Sequence, residues 1–365
     1  MTRLVQCLIF MLIAIHIVSA DTIYFKNGTS RTDVKIIKDS YAKIAYELRK
    51  RTVSVQTERV DWIEYSDSPQ ELIAGRGALN KGDYEGAVSL INSAAEAASL
   101  PPAAGPWFFV YSNYLLGKAY QGWADSDPQQ SDLYKTAIKH YQDAASKPES
   151  RYLHESYFGI AQCYINLKEY SKASQSLSKL EADAGRNSSD YWKIQATLWQ
   201  GHKSLAQKSF TSAVSKYQRA QSLASKKELT KLEREAAIAI GNCYIQDKKF
   251  SRAKSHFESL KDAAEKNDYE LLAAVENGLA MSLLEEGKIT SARRKALNVI
   301  LDYFEAEEER PQALFIAGLC NEKATKEKNH LKRAQACYRF LTQGYPGNPW
   351  TTKALRRLQK ITQQE

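Results

Sequence analysis

Cysteine, methionine and histidine are scarce in this 365-residue chain, with 5, 3 and 6 copies. No Cys-x-x-Cys pair occurs. The histidines beyond residue 20, His140, His154, His202, His256 and His330, stand far apart with no partner four residues on, so zinc-type spacing is missing. The phosphate-cradling glycine loop, the dinucleotide fingerprint and the Gly-x-Ser-x-Gly elbow are missing as well. These absences remove the sequence-readable routes to metal, nucleotide and serine chemistry, and the chain is expected to be non-catalytic, with no cofactor. Long apolar runs are also lacking, with one exception. Leu4–Val18 follows Arg3 and ends in Val18-Ser19-Ala20, which is the pattern of a cleaved secretory leader. The run falls short of the roughly 20 residues of a membrane span, so residues 1–20 are expected to be removed and no transmembrane segment to remain. No run of five basic residues exists although the net charge is +9; pairs such as Lys226-Lys227 and Arg356-Arg357 are scattered. Nucleic acid is therefore not expected as a partner, whereas a basic exported chain suits acidic partners or an anionic polymer of the cell envelope.

Between Asp21 and Tyr65 the chain reads "TIYFKNG", "DVKIIKDSYAKIAYEL" and "TVSVQTERVDWIEY". β-Branched and polar residues alternate there, and Asn27-Gly28 marks a tight turn. About five short strands are predicted in a domain spanning 21–66, a unit near the lower size limit for independent stability. Its opening turn and its ending, Val60 to Tyr65, resemble the small Sm-like or SH3-like barrels of exported bacterial proteins.

From residue 67 to 365 the pattern changes. The stretch "GDYEGA" at Gly82–Ala87 could suggest paired acid and base groups, but related segments recur as "KEYSKA", "KSFTSA", "KKFSRA" and "GKITSA". The carboxylates do not recur, whereas an alanine preceded at three residues by Tyr, Phe or Ile does. A packing position can drift in that way and a catalytic group cannot. The alanines are Ala87, Ala137, Ala173, Ala213, Ala253, Ala292 and Ala334, at spacings of 50, 36, 40, 40, 39 and 42. Periods of this size predict a helical solenoid. Bulky residues four positions on, such as Tyr141, Leu177, Tyr217, Phe257 and Tyr338, and apolar or small ones at seven define one stripe on a second helix, while Gly75, Ala161, Gly201, Gly241 and Ala280 allow close approach by a first helix. Extra residues around "GWADSDPQQSD" and "ATKEKNH" are read as longer hairpin tips, and "LPPAAGP" at Leu100–Pro106 as the cause of the first long gap.

With "GKAY", "AQCY" and "GNCY" at Gly117, Ala161 and Gly241, these hairpins resemble tetratricopeptide repeats. The terminal "YPGNPWTTKALRRLQKI" is similar to the repeat ends of bacterial envelope proteins such as outer-membrane assembly lipoproteins and the Tol-Pal coordinator. The resemblance implies a mainly α chain: a right-handed α-solenoid of about seven hairpins with a C-terminal capping helix, preceded by the small β domain. It implies a scaffold that binds a protein or peptide in its concave groove, in the periplasm or at the outer membrane. Helical phase assigns Tyr111, Tyr114, Phe158, Gln162, Asn166, Gln195, His202, Asn242, Gln246 and Asn277 to that inner side, where amides can pair with an extended backbone. The competing reading is an accessory module that binds cell-wall polysaccharide through basic charge and surface aromatics. Cys163, Cys243 and Cys320 follow the small residues of first helices and are expected in the core, and an oxidising compartment would permit a Cys320–Cys337 disulfide.

Overall fold

The computed structural model describes residues 20–98, 105–147 and 149–363. The predicted leader, apart from Ala20, and most of Leu100–Pro106 lie outside the described residues. The chain divides into two compact units between Ser68 and Pro69.

The first unit is an antiparallel sheet of β1 (Asp21–Phe25), β2 (Ser30–Asp39), β3 (Lys43–Leu48), β4 (Arg51–Gln56) and β5 (Val60–Glu64). The strand order β4-β3-β2-β1-β5 is a four-strand meander that β5 completes by returning to β1, leaving β4 and β5 as the edges. Asn27-Gly28 makes the first turn: Gly28 has φ 81°, and Asn27 Oδ1 accepts the Thr29 N–H at 3.1 Å. Alternation turns Ile23, Val34, Ile44, Tyr46, Val60 and Ile63 into one small core. That core is supplemented by Asp21, whose carboxylate accepts from the Ile36 and Ser66 N–H groups at 2.8 and 2.9 Å and so ties the two ends of the segment together.

The second unit is all helix. Seven hairpins follow one another: α1 (Gln70–Asn80) with α2 (Tyr84–Ala98), α3 (Trp107–Ser126) with α4 (Leu133–Ala144), α5 (Leu153–Asn166) with α6 (Tyr170–Arg186), and α7 (Asp190–Ala206) with α8 (Phe210–Lys226). Then come α9 (Thr230–Gln246) with α10 (Phe250–Ala263), α11 (Tyr269–Glu285) with α12 (Ile289–Asp302), α13 (Arg310–Lys323) with α14 (His330–Gly344), and a last helix α15 (Pro349–Thr362). This is a tetratricopeptide-type solenoid. All seven marker alanines are completely buried, each in the first turn of a second helix. In "GDYEGA" Asp83 Oδ1 accepts the Gly86 N–H at 3.0 Å, so that carboxylate caps the start of α2. The two insertions fall at hairpin tips: one forms a 3-10 turn at Pro128–Gln130, the other joins α13 to α14 through Asn329, whose φ is 58°.

The glycines ahead of the markers have a steric reason. A Cβ at Gly241 or Gly278 would stand 2.3 Å from the Phe257 ring, which lies between those two helices; at Gly201 it would stand 2.5 Å from Tyr217, and at Gly318 2.3 Å from Tyr338. Four of the seven hairpins thus sink an aromatic ring, Tyr141, Tyr217, Phe257 or Tyr338, against the bare backbone of a first-helix glycine, and full burial of one such side chain is worth about 1.5–3 kcal/mol.

Loops between helices are equally regular. Lys168, Ser188, Lys208, Glu228 and Lys248 each sit two residues past a helix end with φ between 55° and 61°. They carry the paired hydrogen bonds of a Schellman motif, as in Lys168 N–H to Ile165 O and Glu169 N–H to Tyr164 O. Glycine fills the same place at Gly82 and Gly287. A left-handed backbone at a residue with a Cβ costs on the order of 1–2 kcal/mol, partly offset by the greater unfolded-state freedom of glycine. Lys208→Gly and Lys248→Gly are therefore expected to raise stability by up to about 1 kcal/mol each, read as a higher urea midpoint with unchanged slope.

The sequence does not announce where the C-terminal helix docks. Helix α15 packs on α3 as well as on α13 and α14. Arg356 Nε donates to the Ser126 carbonyl at 3.2 Å and Nη2 to the Asp125 carbonyl, capping the C-terminus of α3. The Tyr345–Asn348 turn meets the α1–α2 turn so closely that a Cβ on Gly347 would lie 2.6 Å from the Asn80 carbonyl oxygen. The Tyr345–Asn348 turn and α15 thereby touch the first two hairpins.

Cys163, Cys243 and Cys320 are fully buried and packed among apolar neighbours. Burial pushes the Cys243 and Cys320 thiols up to about 11 and about 12. The disulfide considered for Cys320 and Cys337 does not form: both thiols are free, and Cys337 Sγ accepts from Asn321 Nδ2 at 3.6 Å instead.

Candidate peptide-binding cleft

First helices α7, α9 and α11 line a cleft of about 590 Å³, bounded on one side by Glu308 and Glu309 in the connection from α12 to α13. Spacings of three and four residues along α9 place Lys231, Arg234, Glu235, Ile238, Asn242 and Gln246 on one stripe facing it. Leu205, Ile238, Ala239, Leu271 and Ala274 supply an apolar lining; His202, Asn242 and Gln246 add hydrogen-bonding groups.

The charges within the cleft are unequal. Lys231 Nζ is held by both oxygens of Glu308 at 2.8 and 2.9 Å, an ion pair that crosses from α9 to the α12–α13 connection. Arg234 Nη2 bonds Asp268 at 2.5 Å. Glu309 accepts from Asn277 Nδ2 at 2.9 Å. Glu235 meets no hydrogen-bonding or ion-pair partner among the described residues. The cations are thus committed to Glu308 and Asp268, and Glu235, Glu270 and Glu309 leave the cleft negative inside a chain whose net charge is +9. Desolvation pushes the carboxyls of Glu235 and Glu309 above the usual range, and Glu270 follows, first through desolvation and then through the neighbouring charge of Glu308. His202 holds Tyr217 OH at 3.0 Å through Nδ1, and burial pulls its imidazole down to about 4, so it is neutral at physiological pH.

A carboxyl raised on folding binds its proton more tightly in the folded chain, so stability falls as pH rises through its folded value. Glu235→Gln is expected to raise the denaturation midpoint at pH 7, with the gain shrinking as pH falls toward 4 and the buried carboxyl takes up its proton. Parallel urea titrations at the two pH values measure it; equal shifts at both would show that the carboxylate is already stabilised in the fold.

Of the ten residues assigned to the inner side, His202, Asn242 and Gln246 come together in this cleft. Asn277 lies fully buried at its edge, where it also donates to the Glu309 carbonyl at 3.0 Å. The remaining six are elsewhere. Gln195 is buried and donates to Tyr191 OH at 3.4 Å. Gln162 accepts from Gln121 at 3.0 Å, and Asn166 donates to Asp125 and Tyr134 at 3.0 and 3.1 Å, in a polar network around the tip of the second hairpin. Tyr111 and Tyr114 stack on Tyr152 at 5.4 and 4.2 Å, and Phe158 sets its edge against Trp192 and Trp199. Lys231, Arg234, Glu235, Glu270 and Glu308 were not singled out from sequence. For all of them but Glu270 the trace is the dense charge of "KLERE" and "EAEEER", which reads as solvated surface until the hairpins stack. Among the described residues no group of three or more His, Cys, Asp or Glu side chains is placed to hold a metal ion.

Fold and cleft together define a tetratricopeptide-type helical solenoid with a cleft on its first-helix layer. No family model matches the chain, and no curated protein matches it. Among solved structures the chain is similar to apo RapI, at 12% identity over 80% of this chain and 98% of that one, with a TM-score of 0.48. A tetratricopeptide repeat protein from Parabacteroides merdae is similar at 16% identity over 80% and 98%, with a TM-score of 0.45. NprR in complex with its cognate peptide NprX is similar at 13% identity over 81% and 87%, with a TM-score of 0.42. At such identities the likeness reaches no further than the helical-hairpin architecture.

Proposed function

We propose that this protein is a non-catalytic scaffold that captures an extended segment of a partner protein in the α7–α9–α11 cleft, and that it works in the bacterial cell envelope after export. One observation carries the binding reading: a cleft of about 590 Å³ opens on the first-helix layer, with an apolar lining and convergent polar groups, which is the composition of a ligand site. The lining receives apolar side chains, the amides of Asn242 and Gln246 can pair with a peptide backbone, and the unpaired Glu235 suits a cationic side chain. The export reading rests on the Leu4–Val18 run and the Val18-Ser19-Ala20 triplet.

The test is retention of partners from an envelope extract on the immobilised full chain, compared with Ile238→Arg and Asn242→Arg variants whose helical circular dichroism is intact. Both variants should lose the partner that the parent chain retains. Identical retention would remove the cleft from the function. Mass spectrometry of the protein made in its own cell tests the second half: Asp21 is the expected first residue, and a chain still beginning at Met1 or Thr2 would end the export reading.

A further inference from the structure

Helices α12 and α14 leave an unusual set of side chains uncovered. On α12 Leu297 is 40% and Leu301 69% exposed, Phe304 just beyond it 62%, and Phe340 on α14 55%. Cations stand among them. Arg294, Lys332 and Arg339 are exposed, and no ion pair or hydrogen bond from the described residues engages their side chains. Their neighbours Arg293 and Arg333 are instead tied to Glu327, and Lys295 to Glu276. Arg294, Leu297 and Leu301 follow at i, i+3 and i+7, and Lys332, Arg339 and Phe340 at i, i+7 and i+8, so each set shares one helical face. No carboxylate occurs in α14, and α12 has only Asp302, at its last residue. Both helices pack on α13 as second helices of consecutive hairpins, so their uncovered faces belong to the second-helix layer, whereas the cleft opens on the first-helix layer.

We propose that this face docks the protein on an anionic lipid bilayer. Apolar side chains set among unpaired cations match the boundary between phosphate headgroups and acyl chains, where each kind finds its partner at the same depth. A soluble polyanion would engage Arg294, Lys332 and Arg339 but leave Leu301 and Phe340 in water. An apolar protein surface would cover the leucines and strand the cations. Glu305 and Glu307, exposed just past Phe304, mark the edge at which an anionic surface is repelled.

Co-sedimentation of the full chain with vesicles tests the proposal independently of the cleft. Vesicles of equal parts phosphatidylcholine and phosphatidylglycerol should bind it, and pure phosphatidylcholine should not, with binding weakening steeply between about 50 and 200 mM salt. A cation near an anionic leaflet contributes roughly a fivefold factor, so Arg294→Gln, Lys332→Gln and Arg339→Gln combined should lower partitioning on the order of 100-fold. Leu301→Ser with Phe340→Ser should lower it at least about tenfold. All five positions are exposed, and unchanged circular dichroism is the check on folding. An environment-sensitive dye on Leu301→Cys should brighten with the anionic vesicles. The proposal is overturned by equal binding to both vesicle types, by a dye that stays dark while the chain binds, or by serine variants that bind like the parent. It is also overturned if sedimentation without lipid shows these substitutions breaking a self-association of the chain.

Discussion

Replacing Phe257 with alanine should lower the stability of the solenoid by about 3–5 kcal/mol, the range for emptying an aromatic site in a rigid core. The ring is completely buried and stands between α9 and α11 against two glycines, so neither helix has a side chain that could swing in to fill the gap. The complementary change makes the argument testable from the other side. Gly241→Ala would by helix propensity stabilise an ordinary helix by about 1 kcal/mol. Here the new Cβ would meet the ring at 2.3 Å, and overpacking of this kind costs about 1–3 kcal/mol. The clash should win, and Gly241→Ala should destabilise. In a Phe257→Leu background the same glycine substitution should be close to neutral. Urea denaturation of the four chains gives the coupling directly, and additive effects would show that Gly241 and Phe257 do not share one site. Because repeats are held chiefly by their neighbours, Phe257→Ala should also broaden the transition or split it in two.

A second large effect is expected at Glu276. Its side chain is 1% exposed, and its carboxylate receives Lys261 at 2.6 Å and Lys295 at 2.9 Å, which ties α10, α11 and α12 together. Either lysine alone keeps the buried charge paired, so Lys261→Met and Lys295→Met should each cost no more than about 1 kcal/mol. Together they strand a buried carboxylate, for which losses of about 3–5 kcal/mol are typical. Adding Glu276→Leu to the double variant should restore most of that loss. Thermal or urea midpoints of the four chains decide it; a double variant that merely sums its singles would mean that water reaches the carboxylate and solvates it.

The parts of this molecule that were legible in the sequence are those that repeat. Ala87 through Ala334 recur because every hairpin meets its neighbour in the same way, so one local rule was written seven times. Gly201 and Gly241 were legible for the same reason, as were Cys163, Cys243 and Cys320, which occupy one repeated core position. The cleft was not, because it depends on what three successive hairpins and the connection after them bring together. Nothing local links Lys231 to Glu308, yet stacking joins them. Helical phase also misses rivalry among side chains: Tyr111 and Tyr114 sit on first helices, but Tyr152, outside the repeating frame, stacks on both and takes their faces for the core. Gln195 and Asn277 follow the inner stripe in sequence and are nonetheless buried, since a first helix covered by its neighbours exposes only part of that stripe.

A linear array of hairpins ordinarily has two loose ends, and its terminal units open and close with little effect on the middle. Arg356 on the α3 carbonyls and Gly347 against Asn80 remove that freedom here. A fluctuation that peels α15 away must break a seam with α1 and α3 at the same moment, so opening at one terminus is felt at the other across more than two hundred residues. The circuit gives the chain a cooperativity that its repeats, taken one by one, do not possess, and it holds the three hairpins around the cleft in a curvature set by both ends at once.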